Sequence, residues 1–231
     1  MERVTGQTAP DRPNPNAQGP ESGSTVHATD PKRTRIPHHG PELGGPITMS
    51  HTFDPASAHA LEGEARFRYL SRDELVGALR GARGGTVADI GSGTGFYTRE
   101  VAPYVEHLYA VDVQDEMHDH FAEREIPPSV ELVLAPASNL PFEDGTLDGL
   151  YTTMTYHEVE ETAPAEFARV LRRGGSIVVA DWSNRGAGKR GPPLGERKRA
   201  STASTELEAV GFTVGRARER PETFFIEATL E

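Results

Sequence analysis

Two carboxylates and a run of alternate glycines carry the first chemistry this sequence offers. Asp89 stands two residues before Gly91, and Gly91-Ser92-Gly93-Thr94-Gly95 separates the apolar run Thr86 to Ile90 from a helix-compatible stretch, Phe96 to Ala102. Glycines admit positive φ and leave backbone N–H groups uncovered, while a following helix start adds unpaired N–H groups and a partial positive charge. A strand, glycine turn and helix in that order suits a nucleotide-like ligand. Asp89, at the strand's end, can meet a cationic amine. Asp112 closes a second apolar run, Leu108 to Val113. A carboxylate there can accept two hydrogen bonds from a ribose diol, or cap a helix starting at Gln114, and the two roles can coexist.

The elements that must position these groups alternate along the chain. Leu108 to Val113 is followed by a helix over Gln114 to Glu125, then strands over Val130 to Leu134 and Leu147 to Thr152. Thr162 or Ala163 before Pro164 starts a helix whose stripe of Phe167, Val170 and Leu171 ends at Gly174-Gly175. Ser176 to Ala180 is a fifth strand, and Ser201 or Thr202 caps a helix that ends at Gly211. Phe212 to Val214 with its extension and Thr223 to Thr229 read as a closing hairpin. The βαβ alternation predicts a parallel sheet covered on both faces, with the last strand antiparallel. Ahead of it, Asp54 with Pro55, and Ser71 with Glu74 as a capping box, mark two N-terminal helices.

The spacing of the glycines separates two kinds of nucleotide site. A dinucleotide fingerprint, G-x-G-x-x-G, wants its third glycine where Phe96 stands, and here that glycine comes one residue early, at Gly95. The D-x-G-x-G-x-G arrangement of Asp89 to Gly95 instead resembles motif I of the class I S-adenosylmethionine-dependent methyltransferases. The stretch Leu140-Pro141-Phe142 with Asp144-Gly145 is similar to that family's "LPF-x-DG" loop. The likeness runs from about residue 50 to residue 231 and is nearest to the small-molecule group of the ubiquinone and menaquinone biosynthesis type. It implies a Rossmann-like, seven-stranded, mainly parallel sheet with an N-terminal helical lid over residues 49–84 and the methyltransferase domain over 85–231. It also implies S-adenosylmethionine as cofactor, held by Asp89, Gly91, Ser92, Gly93, Thr94, Gly95, Asp112, Val113, Pro136, Ala137, Ser138 and Thr153. Pro136 stands where the family has an aspartate that reaches the adenine amino group, so adenine contacts fall to backbone or to Ser138 and Asn139.

Methyl transfer from a sulfonium expels a neutral thioether, so no acid is needed. The protein supplies in-line positioning and, for a protonated acceptor, a base. His157, following the fourth strand at the edge where the methyl group belongs, is the candidate base, since a histidine titrates near neutrality. The plainer reading has it lining the pocket or capping the next helix. Tyr156 and His51 are weaker candidates. A nucleotide-dependent oxidoreductase and a non-catalytic S-adenosylmethionine-binding protein are the rival readings, the first opposed by Phe96 and the second favoured by Pro136.

Composition bounds the rest. The 231 residues hold one α/β domain and an appendage, and the absence of cysteine excludes disulfides, thiolate metal sites and cysteine nucleophiles. Residues 1–48, rich in Pro, Gly, Ser and Thr, read as a disordered tail whose His27, His38 and His39 lack metal-ligand spacing, so no metal site is expected. That tail carries five basic and five acidic side chains, leaving the whole formal charge of −11 on the remainder. An acidic surface argues against nucleic acid and for a small-molecule substrate. With no long apolar run and no secretory signal, the chain reads as cytoplasmic and not membrane-bound; its oligomeric state is not legible. The loop Ser183 to Thr202, with six basic side chains against Glu196, is either a solvated loop or a hold for an acidic substrate.

Overall fold

The computed structural model describes residues 33–35 and 52–231. Eight strands form one sheet: β1 (Arg33–Arg35), β2 (Thr86–Ile90), β3 (His107–Asp112), β4 (Val130–Leu134), β5 (Leu147–Thr153), β6 (Leu171–Trp182), β7 (Phe212–Glu219) and β8 (Thr223–Leu230), in spatial order β1-β4-β3-β2-β5-β6-β8-β7. Every neighbouring pair from β1 to β6 is parallel, and β8 runs antiparallel to both β6 and β7. This is the seven-stranded, mainly parallel sheet with an antiparallel last strand, plus one edge strand. Edge strand β1 lies inside the stretch expected to be a tail, where it pairs with Leu132 to Leu134. An edge pairing rests on backbone hydrogen bonds, which composition does not report. The rest of residues 1–48, the tail histidines and His51 lie outside the described residues.

Chain order explains where a ligand belongs. From β2 the chain steps one way to β3 and β4, then returns to β2's other side for β5 and β6. The connections therefore part at the carboxyl ends of β2 and β5, the crevice where open parallel sheets bind ligands.

Alternation along β2 distributes its side chains between two cores. Ala88 and Ile90 face one layer with Phe167 and Val170 of α4 (Ala163–Val170) and Leu207 of α5 (Ala200–Glu208). Val87 faces the other, with Leu75 of α1 (Arg72–Ala78), Tyr97 and Val101 of α2 (Phe96–Val101) and Phe121 of α3 (Asp115–Ala122). Helices thus cover both faces, and the central parallel strands β2 and β5 are buried along nearly their whole length.

The N-terminal segment is less regular than its capping signals predicted. Asp54 accepts from the Ala56 amide at 3.0 Å ahead of Pro55, but the segment it starts, Pro55–Glu62, is a 3₁₀ helix, as is Glu64–Arg68. Ser71 does cap α1, accepting from the Glu74 amide at 3.2 Å. Among the other starts, α5 begins at Ala200, before Ser201, and its first amide bonds the Glu219 carboxylate at 2.9 Å. β6 begins at Leu171 and runs through Gly174-Gly175, because Leu171 already pairs with Leu147.

Candidate functional site

The glycine turn folds as its spacing requires. Gly91, Gly93 and Gly95 all have positive φ, at 71°, 55° and 76°. A Cβ at Gly91 would strike the Thr155 side chain and one at Gly95 the Phe121 ring, so these two glycines let neighbours close in. Gly93 differs: a Cβ there would meet only Leu61 Cδ1, at 3.6 Å. Its open side leaves the backbone there within reach of a ligand. The Gly91 and Ser92 amides bond the Val111 carbonyl at 2.8 and 2.9 Å, pinning the turn to β3.

Asp112 joins the turn to the next strand. Its Oδ2 accepts the Gly93 amide at 2.8 Å and its Oδ1 the Gln114 amide at 2.9 Å. A carboxylate has about four acceptor sites, so two remain for a diol. The local-turn role and the ligand role are therefore compatible. Burial raises its pKa to about 6, against the pull of those backbone amides. Beside it Val113 is 55% exposed, an apolar side chain left uncovered, and Gln114 Nε2 bonds the Phe53 carbonyl at 3.2 Å. Pro136, Ala137 and Ser138 are half-buried just past β4, whose Leu134 pairs with Asp112 itself.

Asp89 lies on the α2 side of β2, only 1% exposed. Its Oδ2 accepts from Thr98 Oγ1 at 2.6 Å, while Oδ1 has no hydrogen-bond partner among the described residues. Burial raises its pKa to about 7, opposed by Thr98, Tyr151 and the Arg66 guanidinium. Arg66, half-buried over the rings of Phe96 and Tyr97 at 5.4 and 5.5 Å, was not foreseen. Burial lowers its pKa, against Tyr97, Glu62 and Asp89. Ser92 Oγ and Thr94 Oγ1 are also buried without partners. A cationic amine is what an underfilled carboxylate demands, and a carboxylate is what a desolvated guanidinium demands. The two side chains together fit the amino-acid end of S-adenosylmethionine, and Asp112 with the open Gly93 fits its ribose.

The loop after β5 forms the far wall. Thr153 is buried, and Met154 follows at φ 59°, the single non-glycine residue with positive φ among those described. Strain of this kind concentrates at functional edges. Thr155 Oγ1 donates to the Gly91 carbonyl at 3.3 Å, tying the loop to the glycine turn. His157 has both ring nitrogens opposite carboxylates: Nδ1 is 3.0 Å from Asp181, and Nε2 is 3.4 Å from Glu158 Oε1. Burial works against charge on this ring, but Asp181 and Glu158 outweigh it and raise its pKa to about 10. A carboxylate opposite each nitrogen favours the ring with both nitrogens protonated, as donors rather than proton acceptors. The base chemistry expected of it does not match this arrangement. Tyr156 is fully buried, and burial raises its pKa far above the phenol range.

Asp181 is the further residue at this edge, and its position in the sequence is its signal. It closes the apolar run of β6 as Asp112 closes β3, and it is fully buried, accepting the His157 and Trp182 amides at 2.6 and 2.7 Å. The basic loop divides in two. Arg197 is buried against backbone carbonyls and Glu222, Lys198 pairs with Glu206 at 2.9 Å and Arg199 with Asn184 at 3.2 Å, whereas Arg185, Lys189 and Arg190 are exposed.

Residues 88–179 match a family described as a methyltransferase domain. The chain is 32% identical over 148 residues to an O-methyltransferase, cnsE, of Penicillium expansum, covering 60% of this chain and 52% of that one. It is 32% identical over 122 residues to the ubiquinone/menaquinone biosynthesis C-methyltransferase UbiE of Ectopseudomonas mendocina, covering 49% of this chain and 46% of that one. The chain thus spans about half the length of these curated relatives. Among solved structures, one of a SAM-dependent methyltransferase from Aquifex aeolicus is similar at 26% identity, with a TM-score of 0.71 over 78% of this chain and 100% of the other. No described helix is long and apolar enough to cross a membrane.

Proposed function

We propose that this chain, which belongs to the class I S-adenosylmethionine-dependent methyltransferases, moves a methyl group from S-adenosylmethionine to a small-molecule acceptor in the cytoplasm. The observation that carries this reading is the glycine turn at the sheet's switch point, flanked by two buried carboxylates with acceptor capacity left over. The acidic remainder of the chain, at −11 overall, favours a small acceptor over nucleic acid.

When bound, the cofactor supplies an electrophilic methyl group on a sulfonium, whose departure needs no proton. Asp89 would hold its ammonium and Arg66 its carboxylate. Asp112 would hold the ribose hydroxyls, and Val113 with the half-buried backbone of Pro136, Ala137 and Ser138 would border the adenine. Gly93 keeps the turn open to the ligand while Gly91 and Gly95 let Thr155 and Phe121 pack against it, Ser92 and Thr94 offer unpartnered hydroxyls, and Thr153 continues the wall from β5. These residues fix the direction of the methyl group, and the acceptor must approach from the β5 and β6 side, past His157 and Glu158. Positioning of this kind supplies most of the catalysis open to such a site. The test is calorimetry with S-adenosylmethionine and S-adenosylhomocysteine, followed by turnover to S-adenosylhomocysteine with a panel of hydroxylated and amine acceptors. Binding without turnover on any acceptor would favour a non-catalytic cofactor-binding protein, and absence of binding would refute the reading.

A further inference from the structure

The cluster around His157 reaches beyond cofactor binding to the kind of acceptor the site takes. Asp181 from β6 is locked by two backbone amides and faces Nδ1, while Glu158 from the same loop faces Nε2. A histidine set between two carboxylates satisfies both only when each ring nitrogen carries a proton. The remaining charged groups nearby do not supply an alternative: Asp112 on β3 is a second anion that repels Glu158, and Lys198 and Glu206 are paired with each other over Tyr156. His157 is therefore a donor at both nitrogens, with Nδ1 fixed to a buried anion and Nε2 turned to a side chain that is 22% exposed and that repels the Asp112 carboxylate.

We propose that Glu158 stands, in the free protein, where an acceptor oxyanion binds, and that the site selects phenolate, enolate or carboxylate oxygen through the His157 imidazolium. Asp181 is the positioning residue that aims the ring, and Glu158 gives way to the acceptor. The ring's pKa of about 10 agrees with a cation throughout the physiological range. In the transfer, an oxygen lone pair forms the new O–C bond as the C–S bond breaks, and those electrons pass to sulfur. The sulfonium and oxyanion charges are both consumed, and no proton moves in the step. A cationic amine, by contrast, has no lone pair with which to accept the Nε2 proton, so it cannot take the place of Glu158 against the ring.

The inference rests on the methyltransferase reading, and its test keeps the two apart. The ¹⁵N-labelled protein saturated with S-adenosylhomocysteine is examined at pH 7.5, and the His157 ring should show two N–H protons. 4-Nitrophenol, whose colour reports ionisation, should then bind as the phenolate, its pKa lowered by one unit or more, and roughly tenfold more tightly than benzylammonium. Glu158→Gln, which removes the competing carboxylate, should raise phenolate affinity by about tenfold. A ring with one proton, a probe that binds neutral or not at all, or an ammonium that binds as well as the phenolate would overturn the proposal. Failure of S-adenosylhomocysteine itself to bind would overturn the underlying function instead.

Discussion

Replacing Asp89 by asparagine should stabilise the cofactor-free protein while disabling it. The carboxylate is 1% exposed and has one oxygen without a partner, and its pKa is raised from 3.8 to about 7. A carboxylate whose folded pKa lies above its unfolded value adds stability below the unfolded pKa and loses it as pH rises through the folded one. The window here runs from about pH 4 to pH 7, and a shift of three units corresponds to about 4 kcal/mol forfeited above it. Asparagine keeps the bond from Thr98 but must place an amide N–H₂ near Tyr151, so roughly half of that gain, about 2 kcal/mol, should be realised. For a domain of this size the gain means a Tm higher by about 4–8 °C at pH 8. Differential scanning calorimetry at pH 8 and pH 5 checks it, because the advantage must shrink at pH 5, where Asp89 is already neutral. Cofactor binding should move the other way. Loss of a buried partner for the ammonium costs about 3–5 kcal/mol, a hundredfold or more in Kd. In the parent, affinity should fall about tenfold per pH unit below pH 7, as Asp89 takes up its proton. A variant that melts at or below the parent at pH 8, or that still binds S-adenosylmethionine tightly, would refute the placement of Asp89.

Asp112→Ala should weaken S-adenosylmethionine and S-adenosylhomocysteine alike, by on the order of tenfold to a few hundredfold in calorimetry, since the ribose is common to both. Arg66→Ala should weaken S-adenosylmethionine by about tenfold or more but leave 5′-methylthioadenosine, which lacks the amino-acid end, unaffected. Gly93→Ala should keep the fold at a strain of about 1 kcal/mol and lose cofactor binding. Gly95→Ala, whose new Cβ meets the Phe121 ring, should cost about 2–4 kcal/mol in urea denaturation.

How far the sequence alone carried differs between the sheet and the site. Strands β2 to β5 were legible because each is a short apolar run with a turn signal on either side, and burial on both faces removes the ambiguity of alternation. β1 was not, since Arg-Thr-Arg has no apolar pattern and joins the sheet through its backbone. The 3₁₀ segments near Asp54 had a correct cap and an incorrect helix type, because a cap fixes where a helix starts and not how many residues its turns hold. Within the candidate site, the strand ends of Asp89 and Asp112 were legible because each lies at the end of a short apolar run. Arg66 was not, as its position comes from tertiary packing over Phe96 and Tyr97 rather than from any local motif.

His157 shows most clearly what position in a sequence leaves open. Its place after β5 located it at the correct edge of the sheet, and its ordinary pKa then suggested a base. What determines its chemistry is Asp181, 24 residues later and on a neighbouring strand, which β5 and β6 bring alongside by parallel pairing from Gly149 with Ser176 to Thr153 with Ala180. That register carries Asp181 one residue past Ala180, level with the start of the loop, and its carboxylate converts a proton acceptor into a fixed donor. Proton affinity is thus a property of the folded edge. The same edge holds Asp112 at the end of β3, so two acidic residues in equivalent sequence settings take opposite tasks. Asp112 accepts two amides and has acceptor capacity left over, and Asp181 spends its capacity on two amides and the His157 ring.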